Sequence, residues 1–111
     1  MSITPLPLIL PQQLAGAVAI LYQSSNVKTR IDKLSFTNTD SLAHAVTVYL
    51  VPLGGAPVAS NTITIAHSVA AGETWNSPDA VGQILAVGGS IQAFADTGAV
   101  VTISGAGTQI S

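Results

Sequence analysis

The chain is 111 residues long, the size of one domain with one core, and 48% of it is hydrophobic while only 7% is charged, against about 25% charged in typical soluble domains. Its net charge of −2 supplies no basic field for a phosphate backbone, which argues against nucleic acid as a partner, and the lack of cysteine excludes disulfides and thiolate metal sites. A surface that must be covered by Ser, Thr, Asn, Gln, Ala and Gly suits a subunit held against neighbours.

No charged side chain precedes Lys28. A signal peptide or membrane anchor is nevertheless not expected, because there is no basic n-region, Pro5, Pro7 and Pro11 interrupt the segment, and the apolar run Leu14 to Tyr22 is far short of the ~20 residues that span a bilayer. The chain reads as soluble and unprocessed. Residues 1–13 are apolar and proline-punctuated, so they are expected to form an extended arm that lies on its own domain or crosses to a neighbour. Residues 14–111 then form the folded domain.

From Leu14 onward the hydrophobic period is close to two, with β-branched residues between turn signals. Strands are predicted over Ala17 to Gln23, Lys28 to Thr37 and His44 to Val51, the last stopped by Pro52 and a Gly/Pro loop from Leu53 to Ala59. Alternation in the second strand puts Lys28, Arg30 and Asp32 on one side and Lys33 on the other, a solvated face with local pairing. A fourth strand, Thr62 to Val69, is expected to point Ile63 and Ile65 inward. The turn Ala70-Ala71-Gly72-Glu73 leads to a short strand, Thr74 to Asn76. Between Ser77 and Ala86, either Ser77 or Asp79 could cap one helical turn carrying Val81 and Leu85, kept short by Pro78 and Gly82. Ser90 to Asp96 and Val100 to Ser104 form a closing hairpin around Thr97 and Gly98. Short strands at this spacing imply an all-β, antiparallel β-sandwich, jelly-roll-like or immunoglobulin-like, with the arm in front of it.

Catalysis needs a nucleophile, a base within reach and a stabiliser of charge. The bases are His44 and His67, and no Gly-x-Ser-x-Gly elbow fixes a serine beside either. Their spacing matches no metal-ligand pattern. Asp40 and Asp96 read as turn formers that bond their own backbone. No catalytic, cofactor or metal residue is therefore expected, and the chain reads as non-enzymatic. Trp75 is a core or interface anchor. As a sugar platform it would need Tyr49 or Tyr22 on the same exposed face.

Five segments carry a resemblance: Ile31 to Thr39 (IDKLSFTNT), Val46 to Pro52 (VTVYLVP), Val69 to Thr74 (VAAGET), Gly88 to Ala93 (GGSIQA) and Val100 to Gly105 (VVTISG). Over about residues 30 to 105 the chain resembles small all-β virion proteins of tailed bacteriophages. The resemblance is one of strand and turn chemistry. It implies a structural virion component, a head decoration or cement protein on the capsid surface, with a neck, collar or tail part as the second reading and a carbohydrate-binding module as a third from another class. The implied partners are the major capsid protein or other virion proteins and further copies of the chain, expected as a trimer. Leu6, Leu8, Ile9 and Leu10 of the arm, with Trp75, are the candidate interface.

Overall fold

A computed structural model describes residues 3–110; Met1, Ser2 and Ser111, at the outer limits of the expected arm and domain, lie outside the described residues. Alternating β-branched and polar residues build nine strands: β1 (Ile3–Gln13), β2 (Ala19–Gln23), β3 (Lys28–Asn38), β4 (His44–Val51), β5 (Thr62–Val69), β6 (Thr74–Asn76), β7 (Ile84–Leu85), β8 (Ser90–Ala95) and β9 (Val101–Ile110). A 3-10 turn, Ala59–Asn61, the only one among the described residues, precedes β5. One sheet runs β1-β9-β3, with β6 and β7 lying in succession along the far side of β3, and the other runs β2-β8-β4-β5. Every pairing is antiparallel.

The pairings nest: β4 with β5, β3 with β6 and β7, β2 with β8, β1 with β9. One long hairpin is thus folded over itself into two facing sheets, which is the jelly-roll arrangement and decides the sandwich type left open by alternation alone. Ile31, Leu34 and Phe36 of β3, Val46 and Val48 of β4, Ile91, Ala93 and Ala95 of β8, and Val101 and Ile103 of β9 fill the space between the sheets. At ~25 cal/mol per Å² of apolar surface removed from water, this layer is the main favourable contribution to folding.

Residues 3–13 are extended, as their prolines require, but they form the edge strand of a sheet, paired with β9 from Ile3↔Ile110 to Gln13↔Thr102. Proline cannot donate to a ladder and is tolerated at such an edge. Leu8 and Ile9 retain 8% and 2% of their surface and belong to the core. The closing hairpin expected of Ser90 to Asp96 and Val100 to Ser104 is not formed, because the intervening turn carries the chain from one sheet to the other and β8 and β9 do not pair. Three further expectations are corrected by local geometry. Ala66 adopts φ 46° and donates its amide to Thr47 Oγ1, making a bulge that shifts the β4–β5 register. Ile65 is consequently turned outward, 79% exposed, while Ile63 packs against the core. A second bulge lies between Ile31 and Lys33, so Asp32 and Lys33 are both exposed, between the buried Ile31 and Leu34, and Lys33 does not go to the opposite face. Residues 77–83 form turns with Gly82 at φ 85° and no helical turn. Ser77 N and Gly82 N donate to Leu34 O and Ile31 O of β3 instead.

Candidate functional site

The loops collect at two ends of the molecule. The β1–β2, β3–β4, β5–β6 and β8–β9 connections meet at one end, here the tip, through Ala99 N to Leu14 O, Thr39 N to Val100 O, Asn38 N to Glu73 O and Gly72 N to Asn38 O. Asn38 is fully buried there. Its amide nitrogen donates to Leu42 O and Val69 O, and its Oδ1 accepts from Asp40 N. Beside it His44 lies between two carboxylates: Nε2 is 2.7 Å from Asp40 Oδ2 and Nδ1 is 2.8 Å from Asp96 Oδ1. The ring keeps only 9% of its surface exposed. Ionised carboxylates only accept, so both ring nitrogens must donate and the ring is an imidazolium when both bonds are made.

The electrostatics follow from these contacts. The bond to Asp40, then that to Asp96, raises the His44 pKa above its ordinary 6.5. The His44 bond and the Ser41 amide lower Asp40. Asp96 is lowered by the Ala45 amide and then by His44. With both nitrogens occupied by carboxylates, the ring has no free lone pair to act as a general base. The arrangement is a charged clamp joining the β3–β4 loop, the start of β4 and the end of β8. Asp40 does bond its neighbouring backbone as the turn reading expected, accepting from Ser41 N. Asp96 instead bonds across the sheet, and the clamp itself was not legible because it depends on strand order.

The opposite end, the base, is closed by a buried hydroxyl network. Tyr22 Oη lies 3.0 Å from Thr29 Oγ1 and accepts from Gln109 Nε2, and Ser24 Oγ lies 2.8 Å from Thr29 Oγ1. Over it opens a depression of about 530 Å³ lined by polar loop residues with Leu53 and Val87.

The two outward faces differ in chemistry. On β3 the side chains opposite the core include Lys28, Arg30, Lys33, Ser35 and Thr37, and Arg30 Nε donates to Asp32 Oδ1 at 2.8 Å. That bond, followed by one from Thr108, lowers the Asp32 pKa. The second sheet carries no Lys, Arg, Asp or Glu on β2, β4, β5 or β8. Because Val46, Val48, Ile91 and Ala93 face the core, Tyr49 and Phe94 face outward, their rings stacked at 6.4 Å. Ile20 aligns with Gln92 and Tyr49 in one row across this face and is exposed.

Of the residues singled out from sequence, Leu8 and Ile9 are core, Leu6 is half-buried and Leu10 is 68% exposed. Trp75 is half-buried against the core, its ring 3.7 Å from that of His67 and 5.7 Å from that of Phe36. It faces the inter-sheet space near its edge, whereas Tyr49 lies on the outer face and Tyr22 belongs to the base network. The three aromatics share no exposed face, so the platform expected of Trp75 with Tyr49 or Tyr22 is not formed. His67 contributes a stacking ring and is not drawn into the His44 cluster.

No family model matches the chain, and no curated protein matches it. Among solved structures its fold is similar to that of a chain in the structure of infectious bursal disease virus, Gx strain, with a TM-score of 0.53 and 12% identity over 98% of this chain and 33% of that one. The chain spans about one third of the length of that neighbour, and the likeness is one of fold.

Proposed function

We propose that this chain is a non-catalytic structural subunit of a virus particle, and more narrowly a decoration or cement protein on the head of a tailed bacteriophage. It binds the major capsid protein on the shell exterior and adds contact area between capsomers. The observation that carries the reading is a whole-chain jelly roll with one sheet face free of charged side chains. That face presents Tyr49, Phe94 and Ile20, the mixture of aromatic and aliphatic groups found at the dry centres of protein interfaces. A contact of ~800 Å² per partner would suffice for specific attachment. The fold likeness to a virus-particle chain and the strand-and-turn resemblance to phage virion proteins both support it. In this reading the attachment surface is the uncharged sheet face and not a free N-terminal arm.

The test is the copy number of the protein in purified particles, measured by quantitative mass spectrometry against the major capsid protein. A ratio near one to one, or a simple fraction of it, is expected. A far smaller number moves the protein to the neck, collar or tail, and absence from particles refutes the virion reading.

A further inference from the structure

The few charges of this chain are sorted along its long axis. The molecule measures 46 × 26 × 20 Å. Lys28, Arg30 and Lys33 lie on the outer face of β3 from its start at the base to its middle, accompanied by two carboxylates, Asp32 on the same strand and the exposed Asp79 in the turn that bonds β3 at Ile31 and Leu34. Asp40, Glu73 and Asp96 lie in the tip loops, with the His44 ring held between Asp40 and Asp96. Along β3, at ~3.3 Å per residue, Lys28 lies about 33 Å and Lys33 about 17 Å from the Asn38 end at the tip. Among the described residues Lys28 and Lys33 have no ion-pair partner within the chain.

Each charged group is also bordered by exposed apolar side chains. At the base, Ile3, Ile110 and Lys28 align across the sheet, and Ile84 aligns with Arg30 on the other side; Ile3 and Ile84 are exposed. At the tip, the exposed Leu42 sits in the loop between Asp40 and His44, and Val18 is exposed on the adjoining loop. Apolar contact supplies affinity, while charge of opposite sign fixes orientation and partner.

We propose that copies of this chain bind one another head to tail, the tip loops of one copy docking on the base end of the β3 face of the next. Asp40, Glu73 and Asp96 of the first copy then oppose Lys28, Arg30 and Lys33 of the second, with Leu42 and Val18 set against the Ile3 and Ile84 margins of that face. The partner is a second copy because the two patches complement each other in sign and in apolar content, and both are present on every copy. Such a contact is heterologous, so it closes into a ring or continues as a filament, and a ring is what a trimer requires. The inference does not depend on the virion reading, since it concerns the purified chain.

Sedimentation velocity of the full chain tests it. Association is expected at about 0.05 M salt and should weaken roughly tenfold at about 0.5 M, where screening shortens the reach of exposed charges. Lys28→Glu with Lys33→Glu, and separately Glu73→Lys, should each be monomeric where the wild type associates. An equimolar mixture of the two should associate again as a heterodimer, because the first variant keeps the native acidic tip and the second keeps the native basic base. All three positions are exposed, and Lys28→Gln with Lys33→Gln gives the same direction more weakly if charge reversal disturbs folding. A wild type that is monomeric at both salts overturns the proposal. Association that ignores salt and substitution also overturns it and assigns self-contact to the uncharged sheet, and a mixture that stays monomeric overturns the pairing of tip with base.

Discussion

Asp40, His44 and Asp96 hold three segments of the tip together through two short bonds, and both bonds depend on protonation. His44 titrates higher in the folded chain than its ordinary 6.5, so its contribution to stability is complete below pH 6.5 and is lost as pH rises through the raised folded value. Asp40 and Asp96 titrate lower when folded than their ordinary 3.8. Their contribution is present above pH 3.8 and is lost as pH falls through the folded values. The clamp is therefore complete in weakly acidic solution, and thermal unfolding between pH 5 and 9 should show a melting temperature that declines above pH 6.5. His44→Gln should flatten that decline; an unchanged slope would show that another group sets it. A second prediction concerns Thr64, which pairs with the core-facing Val48 and whose hydroxyl is buried without a hydrogen-bond partner among the described residues. Thr64→Val keeps the shape and removes an unpaid desolvation, so urea unfolding should show a gain of about 1 kcal/mol. Thr47→Val is the contrast, because it removes the acceptor of the Ala66 amide at the bulge; a loss of about 1 kcal/mol is expected.

β1 shows how an element can be read correctly in conformation while its pairing goes unseen. Its prolines exclude helix, and that much follows from residues 3–13 alone. What places it in the sheet is Gly107 of β9, where a Cβ would collide with Arg30 O and the Leu8 side chain. Glycine at that position lets the β1, β9 and β3 layers close together, and the same glycines hid the second half of β9 from a search for β-branched alternation. Ile9→Ala should accordingly cost about 2–5 kcal/mol, as for other truncations in a filled core, whereas Leu10→Ser should lie within about 0.5 kcal/mol of wild type. Chemical denaturation of the two variants checks this. Removing residues 1–13 should abolish cooperative unfolding, not release an intact domain, since Leu8 and Ile9 leave with it. β3, β4, β5, β6 and β8 were legible because each is bounded by turn residues and alternates over most of its length. Where alternation failed, at Ile65 and Lys33, a bulge had inserted one residue, and no periodicity reports that. The site was less legible than the fold. Asp40 and His44 are four residues apart, but Asp96 comes within reach only once β8 pairs with β4. The uncharged sheet face likewise exists only after β2, β8, β4 and β5 are known to be neighbours, although the absence of charge in each segment was already visible.

At the level of the whole molecule, the nested pairing that makes the jelly roll also dictates an order of assembly. β4 and β5 close only the loop 52–61, whereas β3 and β6 enclose residues 39–73, β2 and β8 enclose 24–89, and β1 and β9 enclose 14–100. Loop-closure entropy makes the outer pairings costly when formed first. Once β4 and β5 have paired, β3 and β6 are brought close, and each further pairing closes a short remaining segment at both ends. Folding should therefore proceed outward from the β4–β5 hairpin, on the millisecond-to-second scale of chains dominated by non-local strand pairs. A pair of core substitutions separates this order from the alternatives. Val48→Ala removes a side chain from the innermost pair and should slow refolding, with most of its destabilisation appearing in the folding rate. Ile9→Ala acts on the pair that forms last and should leave refolding nearly unchanged while accelerating unfolding. Stopped-flow chevrons of the two variants carry the comparison. If Ile9→Ala instead slows refolding as much as Val48→Ala does, the termini are already joined in the transition state and the outward order is wrong. The expected result also bears on assembly, because β1 and β9 carry the Ile3 and Ile110 margin of the base. A chain that completes this edge last would expose its head-to-tail surface only when the rest of the sandwich is closed.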